Sequence, residues 1–180
     1  MEKNLYVGVL AAITLVYATS ALAAADGTIT FEGTVNDTTC TLSTDSLNMV
    51  VPLPSVTSAN FTAANAAANI PAVKFSLNAA GCDVGAVSAS VLFATGGSVD
   101  STNGNLKNNV SGGTDAQVRI YKADGTTPIN LANFGESASN IGKITGKSVD
   151  IDFYANYFSK SAKPTAGVLR TSIQYSMQYL

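Results

Sequence analysis

The amino-acid sequence predicts an all-β domain, a sandwich of antiparallel sheets, on three observations. Apolar residues recur at every second position through most of the chain, helical periodicity is nearly absent, and the apolar runs are short and bounded by Gly, Asn, Ser and Pro. With 180 residues the chain is long enough for one domain with a sizeable core, and no linker or internal repeat divides it.

Each strand is read from its alternation. Leu47, Met49, Val51 and Leu53 alternate with Asn48, Val50 and Pro52. Val73, Phe75, Leu77 and Ala79 alternate with Lys74, Ser76 and Asn78, the pattern of a strand with one buried and one wet face. Val87, Ala89, Val91 and Phe93 make a further strand, and Ala116, Val118 and Ile120 another, closed by an Asp124-Gly125 turn before Ile129 to Leu131. Val149, Ile151, Phe153 and Ala155 follow, with Asp150, Asp152 and Tyr154 opposite. The stretch Ala63 to Ala68 predicts a helical turn or two, cut short by Pro71. Thr95 to Thr114 reads as a surface loop or protruding hairpin with Asn103-Gly104 at its tip.

Composition narrows the function classes. Hydrophobic residues make up 46% and charged residues 12%, so the chain is globular with a surface of Ser, Thr, Asn and Gly. The formal net charge is −2 and no Lys/Arg-rich run occurs, which argues against nucleic acid and anionic membrane as partners. The absence of histidine removes the commonest general base and metal ligand. Asp150 and Asp152 share one strand face, but Val149, Ile151 and Phe153 claim the other, so they read as a solvated face. No catalytic, cofactor-binding or metal-binding residue is predicted.

Lys3, the apolar run from Leu5 to Tyr17 and Ala21-Leu22-Ala23 form the pattern of a secretory signal peptide over residues 1–23. A retained membrane anchor is the rival reading, since no charge appears from Leu5 to Ala25. Thr14, Thr19 and Ser20 weaken that span, and a cleaved chain has no other long apolar run. In an exported chain Cys40 and Cys82 read first as one disulfide, the alternative being two buried thiols.

The two ends of the mature chain are both strand-like. Gly167, Leu169, Thr171, Ile173, Tyr175, Met177 and Tyr179 occupy one face, with Arg170, Ser172, Gln174, Ser176 and Gln178 on the other. Such a final strand is either a core strand paired on both sides or an edge that invites another strand. Just after the cleavage site, Gly27, Ile29, Phe31, Gly33 and Val35 alternate with Thr28, Thr30, Glu32 and Thr34.

In the order and spacing of these features the chain resembles the chaperone-usher pilins, the fimbrial subunits of Gram-negative bacteria. The features are the Gly-x-Ile-x-Phe-x-Gly segment at residues 27–33, an early Cys40 partnered by Cys82 after the Phe75 strand, Gly167 fourteenth from the end and the penultimate Tyr179. The resemblance implies an incomplete immunoglobulin-like β-sandwich that lacks its C-terminal seventh strand and carries an N-terminal donor-strand extension. It implies a division into residues 24–34, the extension, and residues 35–180, the pilin domain. Ala25, Gly27, Ile29, Phe31 and Gly33 would face a neighbour's groove, with Gly27 at a crowded point. Gly167, Leu169, Thr171, Ile173, Tyr175, Met177 and Tyr179 would line this chain's own groove and meet the chaperone, Thr171 departing from a fully apolar lining. The implied partners are other pilin subunits in a homopolymer, a periplasmic chaperone and an outer-membrane usher, with no cofactor, no nucleic acid and no membrane in the mature form. The implied function is a structural, non-enzymatic subunit, exported through the periplasm into the shaft of a surface fimbria that supports adhesion. A minor adaptor or terminator pilin, or a secreted binding module that fills its own groove, is the alternative.

Overall fold

A computed structural model describes residues 39–134 and 141–180. The predicted signal peptide, the extension and its residues Ala25, Gly27, Ile29, Phe31 and Gly33 lie outside the described residues. Two sheets face each other across one core. The first contains β1 (Thr41–Leu42), β3 (Val73–Ala80), β7 (Ser148–Ser159), β2 (Ala66–Ala67) and β5 (Gln117–Tyr121). The second contains β6 (Ile141–Lys143), β4 (Ser88–Phe93) and β8 (Tyr175–Tyr179), in that order. Every pairing is antiparallel.

The long strand β7 organises the first sheet. Ala155 lies opposite both Val73 and Ile120, and Phe158 opposite both Ala67 and Gln117. A strand has only two edges, so β3 and β2 follow one another along one edge of β7 while β5 takes the other. Val149, Ile151, Phe153 and Ala155 point inward and are buried, as their alternation predicts. Phe153 joins the layers: its ring stacks on Phe75 of β3 at 5.4 Å and meets Phe93 of β4 edge-on at 5.2 Å. The outer face keeps its polar pairs, with Lys74 Nζ 2.8 Å from Asp152 and Asn78 Nδ2 donating to Asp150 at 2.6 Å.

Four sequence expectations meet a different local answer. The strand read over Leu47 to Leu53 does not form: Thr44–Leu47 make a one-turn helix, α1, because Ser43 accepts from the Ser46 N–H and Asp45 sits in the first turn, and residues 49–53 pair with no strand among the described residues. Leu47 is thereby turned out to solvent, leaving Met49 and Leu53 against the core. The helical reading of Ala63 to Ala68 is wrong: Asn65 adopts φ +56°, which no right-handed helix contains, and Ala66–Ala67 pair with β7 as β2. Asn156 of β7 holds that turn by donating to the carbonyls of Ala68 and Ile70.

Asn103-Gly104 does tip a hairpin, with Gly104 at φ +69° and Val99 bridged to Leu106. Its flanks nevertheless are not loose surface. Leu106 is a core residue, and buried Asp100 accepts from Gln117, Thr102 and Lys160 at 2.6 to 3.0 Å. Arg119 donates to Asn105 and lies 3.9 Å over the Phe158 ring, so this polar network covers the outer face where β5 meets β7. Fourth, the C-terminal segment is extended along its length, but only Tyr175–Tyr179 is laddered to a neighbouring strand.

Candidate functional site

The site is the C-terminal segment and what flanks it. β8 pairs with β4 in a register that sets Phe93 opposite Tyr175, Val91 opposite Met177 and Ala89 opposite Tyr179. Ser88 and Leu180 exchange both backbone hydrogen bonds, and the Ala94 N–H donates to the Gln174 carbonyl. Antiparallel ladders alternate, so the even-numbered residues from Gln174 to Leu180 turn their backbone groups toward β4. Those of Ile173, Tyr175 and Met177 therefore turn toward the opposite edge. Among the described residues β8 pairs with no other strand, which places it at the rim of its sheet.

Upstream of Gln174 the period-two pattern persists without a ladder. Leu169, Thr171, Ile173, Tyr175 and Met177 are half-buried, whereas Arg170, Ser172, Gln174 and Ser176 are exposed. The side previously occupied by β4 passes to the loop at residues 108–114, where Asn109 N–H donates to Arg170 O at 2.9 Å and Thr114 N–H to Val168 O at 3.3 Å. Gly167 is exposed and lies against Gly113. One row of side chains thus runs inward from Leu169 to Tyr179, and a parallel row of backbone groups faces the rim.

Two tyrosines define the depth of this row. Tyr175 Oη donates to the Ser46 carbonyl at 2.6 Å and Tyr179 Oη to the Cys40 carbonyl at 3.4 Å, so both rings reach across to the β1–α1 stretch. Burial pushes both hydroxyls above their usual pKa, and the neighbouring Tyr175 adds to the effect on Tyr179. Cys40 is disulfide-bonded to Cys82, which anchors the stretch that Tyr179 meets to the turn after β3. Leu169, Ile173, Tyr175, Met177 and Tyr179 all pack on the main core. The Thr171 hydroxyl is buried with no hydrogen-bond partner, a polar atom in an otherwise apolar row.

Chemistry of other kinds finds little here. Among the described residues no group of three or more His, Cys, Asp or Glu side chains is arranged to hold a metal ion, and no helix is long and apolar enough to cross a membrane. A cleft of about 270 Å³ between residues 94–99 and 172–174 opens beside Ile173. The half-buried row from Leu169 to Tyr179 follows the alternation of the sequence, but the sequence does not point to what supports it: Ser46, hidden in a polar run, and Asn108, hidden in a loop without periodicity. The Ser43-Thr44-Asp45-Ser46 run did carry a capping signal. Nothing local marks Asn108.

Comparison with known proteins gives these features a context. Residues 29–179 match the family model described as fimbrial protein. The chain is 32% identical to the F17 fimbrial protein of Escherichia coli, an alignment covering 99% of each chain. It is 34% identical to the major fimbrial subunit SMF-1 of Stenotrophomonas maltophilia, covering 87% of this chain and 94% of that one. Among solved structures it resembles the P pilus rod subunit PapA, with a TM-score of 0.59 at 17% identity over 78% of this chain and 99% of that one. That likeness identifies an incomplete immunoglobulin-like sandwich of the pilin type.

Proposed function

The chain belongs to the fimbrial protein family and is a structural subunit of a cell-surface fimbria, and we propose that it builds the shaft by strand exchange between copies. One observation carries the reading: the outward row of backbone groups at Ile173, Tyr175 and Met177, at the rim of the second sheet, above an inward apolar row. Strand addition, of which pilin–chaperone complexes are a standing example, uses such a pair of rows: main-chain hydrogen bonds provide affinity and alternate side chains fill pockets.

The occupant is residues 24–34 of the next copy. Its inward face would present Ala25, Gly27, Ile29, Phe31 and Gly33, whose alternation matches the period of the row it meets. Burying Ile29 and Phe31 would contribute about 1.5–3 kcal/mol each. Before assembly a periplasmic chaperone lends its own strand to the same edge, and an outer-membrane usher exchanges it for the extension, after residues 1–23 have directed export and been removed. Each copy then donates one strand and accepts one, which is the condition for an open linear polymer.

Deleting Ala24 to Glu32 tests this. The truncated chain accepts a strand and donates none, so it should fold on the chaperone yet give no ladder of SDS-resistant multimers and no filaments by electron microscopy. An undiminished ladder would refute strand exchange through this extension.

A further inference from the structure

The last rung between β4 and the C-terminal segment is Ala94 N–H to Gln174 O; beyond it the chain turns away through Gly96 and Gly97, and Val99 N–H bonds back to Gly96 O. Segment 168–173 would then have lost its neighbour on that side. It is held instead by the 108–114 loop, through the backbone bonds of Asn109 to Arg170 O and of Thr114 to Val168 O and through one side chain. Asn108 Nδ2 donates to Val168 O at 2.8 Å, and Asn108 Oδ1 accepts from Arg170 N–H at 2.9 Å. A carbonyl and an N–H two residues apart, gripped by one amide, is how a residue of a parallel strand holds its neighbour. The two remaining capacities of the amide are also used, Nδ2 donating to Thr114 O at 2.9 Å and Oδ1 accepting from Val110 N–H at 3.1 Å.

The crossing is close on its far side as well. A Cβ on Gly167 would lie 2.6 Å from Thr114 N and 2.7 Å from the Gly113 carbonyl carbon. A Cβ on Gly113 would lie 2.5 Å from Asn108 Nδ2 and would also collide with Val168 O. Backbones in contact at two glycines, locked by a fully bonded amide, leave segment 168–170 little freedom. The grip uses the even-numbered side, so the backbone groups of Leu169 and Thr171 stay turned toward the same rim as those of Ile173, Tyr175 and Met177.

We propose that Asn108 is a positioning residue for strand uptake: its side-chain amide stands in for a missing strand and holds the Leu169–Thr171 end of the acceptor edge in register. This rests on the strand-exchange reading above. The edge from Leu169 to Tyr179 has as many residues as the donor segment Ala24 to Thr34, and among the described residues Asn108 alone bonds the Arg170 N–H, so without it the upstream end keeps just two carbonyl contacts and is held less firmly than the β4-supported part. An acceptor ordered in advance pays less on binding, and its loss shows mainly as faster release.

The test uses the full mature chain, refolded with its disulfide intact in excess of a labelled synthetic peptide of residues 24–34, and measures peptide release during chase with unlabelled peptide. Two shortened peptides, each lacking two residues at one end, are run alongside. Asn108→Ala should release the full peptide about tenfold faster than wild type. That difference should vanish for the shortened peptide that no longer reaches Leu169 and persist for the other. Should Asn108→Ala fail to fold, Asn108→Asp, which keeps both bonds accepted at Oδ1, carries the same comparison. Equal release from wild type and variant, or the same acceleration with all three peptides, would overturn the assignment. Failure of the wild type to hold any of the peptides would instead overturn the strand-exchange reading and the assignment with it.

Discussion

The hydroxyl of Tyr175 donates a 2.6 Å hydrogen bond to the carbonyl of Ser46, 129 residues earlier in the chain. Ser46 is fully buried, and its own hydroxyl accepts from Ser43 Oγ at 2.8 Å and from Asn78 N–H at 2.9 Å. One serine therefore joins α1, β3 and β8. The ring of Tyr175 bridges from the strand at the rim to the stretch across from it, so its hydroxyl sets a distance as well as filling space.

Tyr175→Phe keeps the ring and removes the bond, leaving a carbonyl short of a partner. We expect a loss of about 1 kcal/mol in urea unfolding. Burial raises the pKa of Tyr157, Tyr175 and Tyr179 above 10.0, so the folded state retains these protons more tightly than the unfolded chain does. Their contribution is complete below pH 10 and is lost as pH rises through the raised values. The urea midpoint should fall in this range, and less steeply for Tyr175→Phe.

The disulfide between Cys40 and Cys82 closes a separation of 42 residues, which on the chain-entropy account stabilises by about 4 kcal/mol. Cys40→Ser or Cys82→Ser should lower the unfolding midpoint and the yield of subunit recovered from the periplasm. Since Tyr179 bonds to the Cys40 carbonyl, the C-terminal strand should also show faster amide exchange. Mass spectrometry of non-reduced tryptic peptides should recover the linked pair.

Asp100 is buried, and its hydrogen bonds from Lys160, Thr102 and Gln117 hold its carboxyl far below the usual carboxylate range. A depressed folded pKa contributes stability that is full above about pH 4 and is lost as pH falls further. Bonds from Thr127 and Thr126 likewise hold Asp124 down, to about 2, at the tip of its turn. Asp100→Ala should cost about 1–3 kcal/mol at pH 7, because Gln117 and Thr102 lose their acceptor. Denaturation between pH 7 and pH 3 should be flatter in this variant than in wild type.

The two rows of the assembly can be tested separately. Ile173→Asp introduces a charge into the half-buried apolar row, and chaperone capture in a pull-down should drop by at least about tenfold, whereas Ser176→Ala on the exposed face should leave it unchanged. Gly27→Phe belongs to the donor. It should preserve capture and suppress the SDS-resistant ladder, and a wild-type ladder would show that Gly27 meets no crowded pocket.

Much of this was legible because a half-buried strand writes its two faces directly into the sequence. The alternations at Val73 to Ala79, Val149 to Ala155 and Leu169 to Tyr179 appear as buried and exposed residues in the folded chain. Local chemistry misled where it competed with tertiary pairing. Five alanines between residues 63 and 68 favour a helix, yet an open edge of β7 offers Ala66 and Ala67 hydrogen bonds that a short, uncapped helix would lack.

By itself the sequence determined the all-β class, the pairing expected of its two cysteines and which residues of the last segment share a face, because period and composition are local properties of the chain. Tertiary structure alone decided which edge that segment presents, that Ser46 receives Tyr175, and that Asn108 takes over from β4 beyond Gln174. Those are relations between segments 60 or more residues apart. No periodicity records them, since they arise only when backbone groups left over by one pairing must find partners elsewhere in the fold.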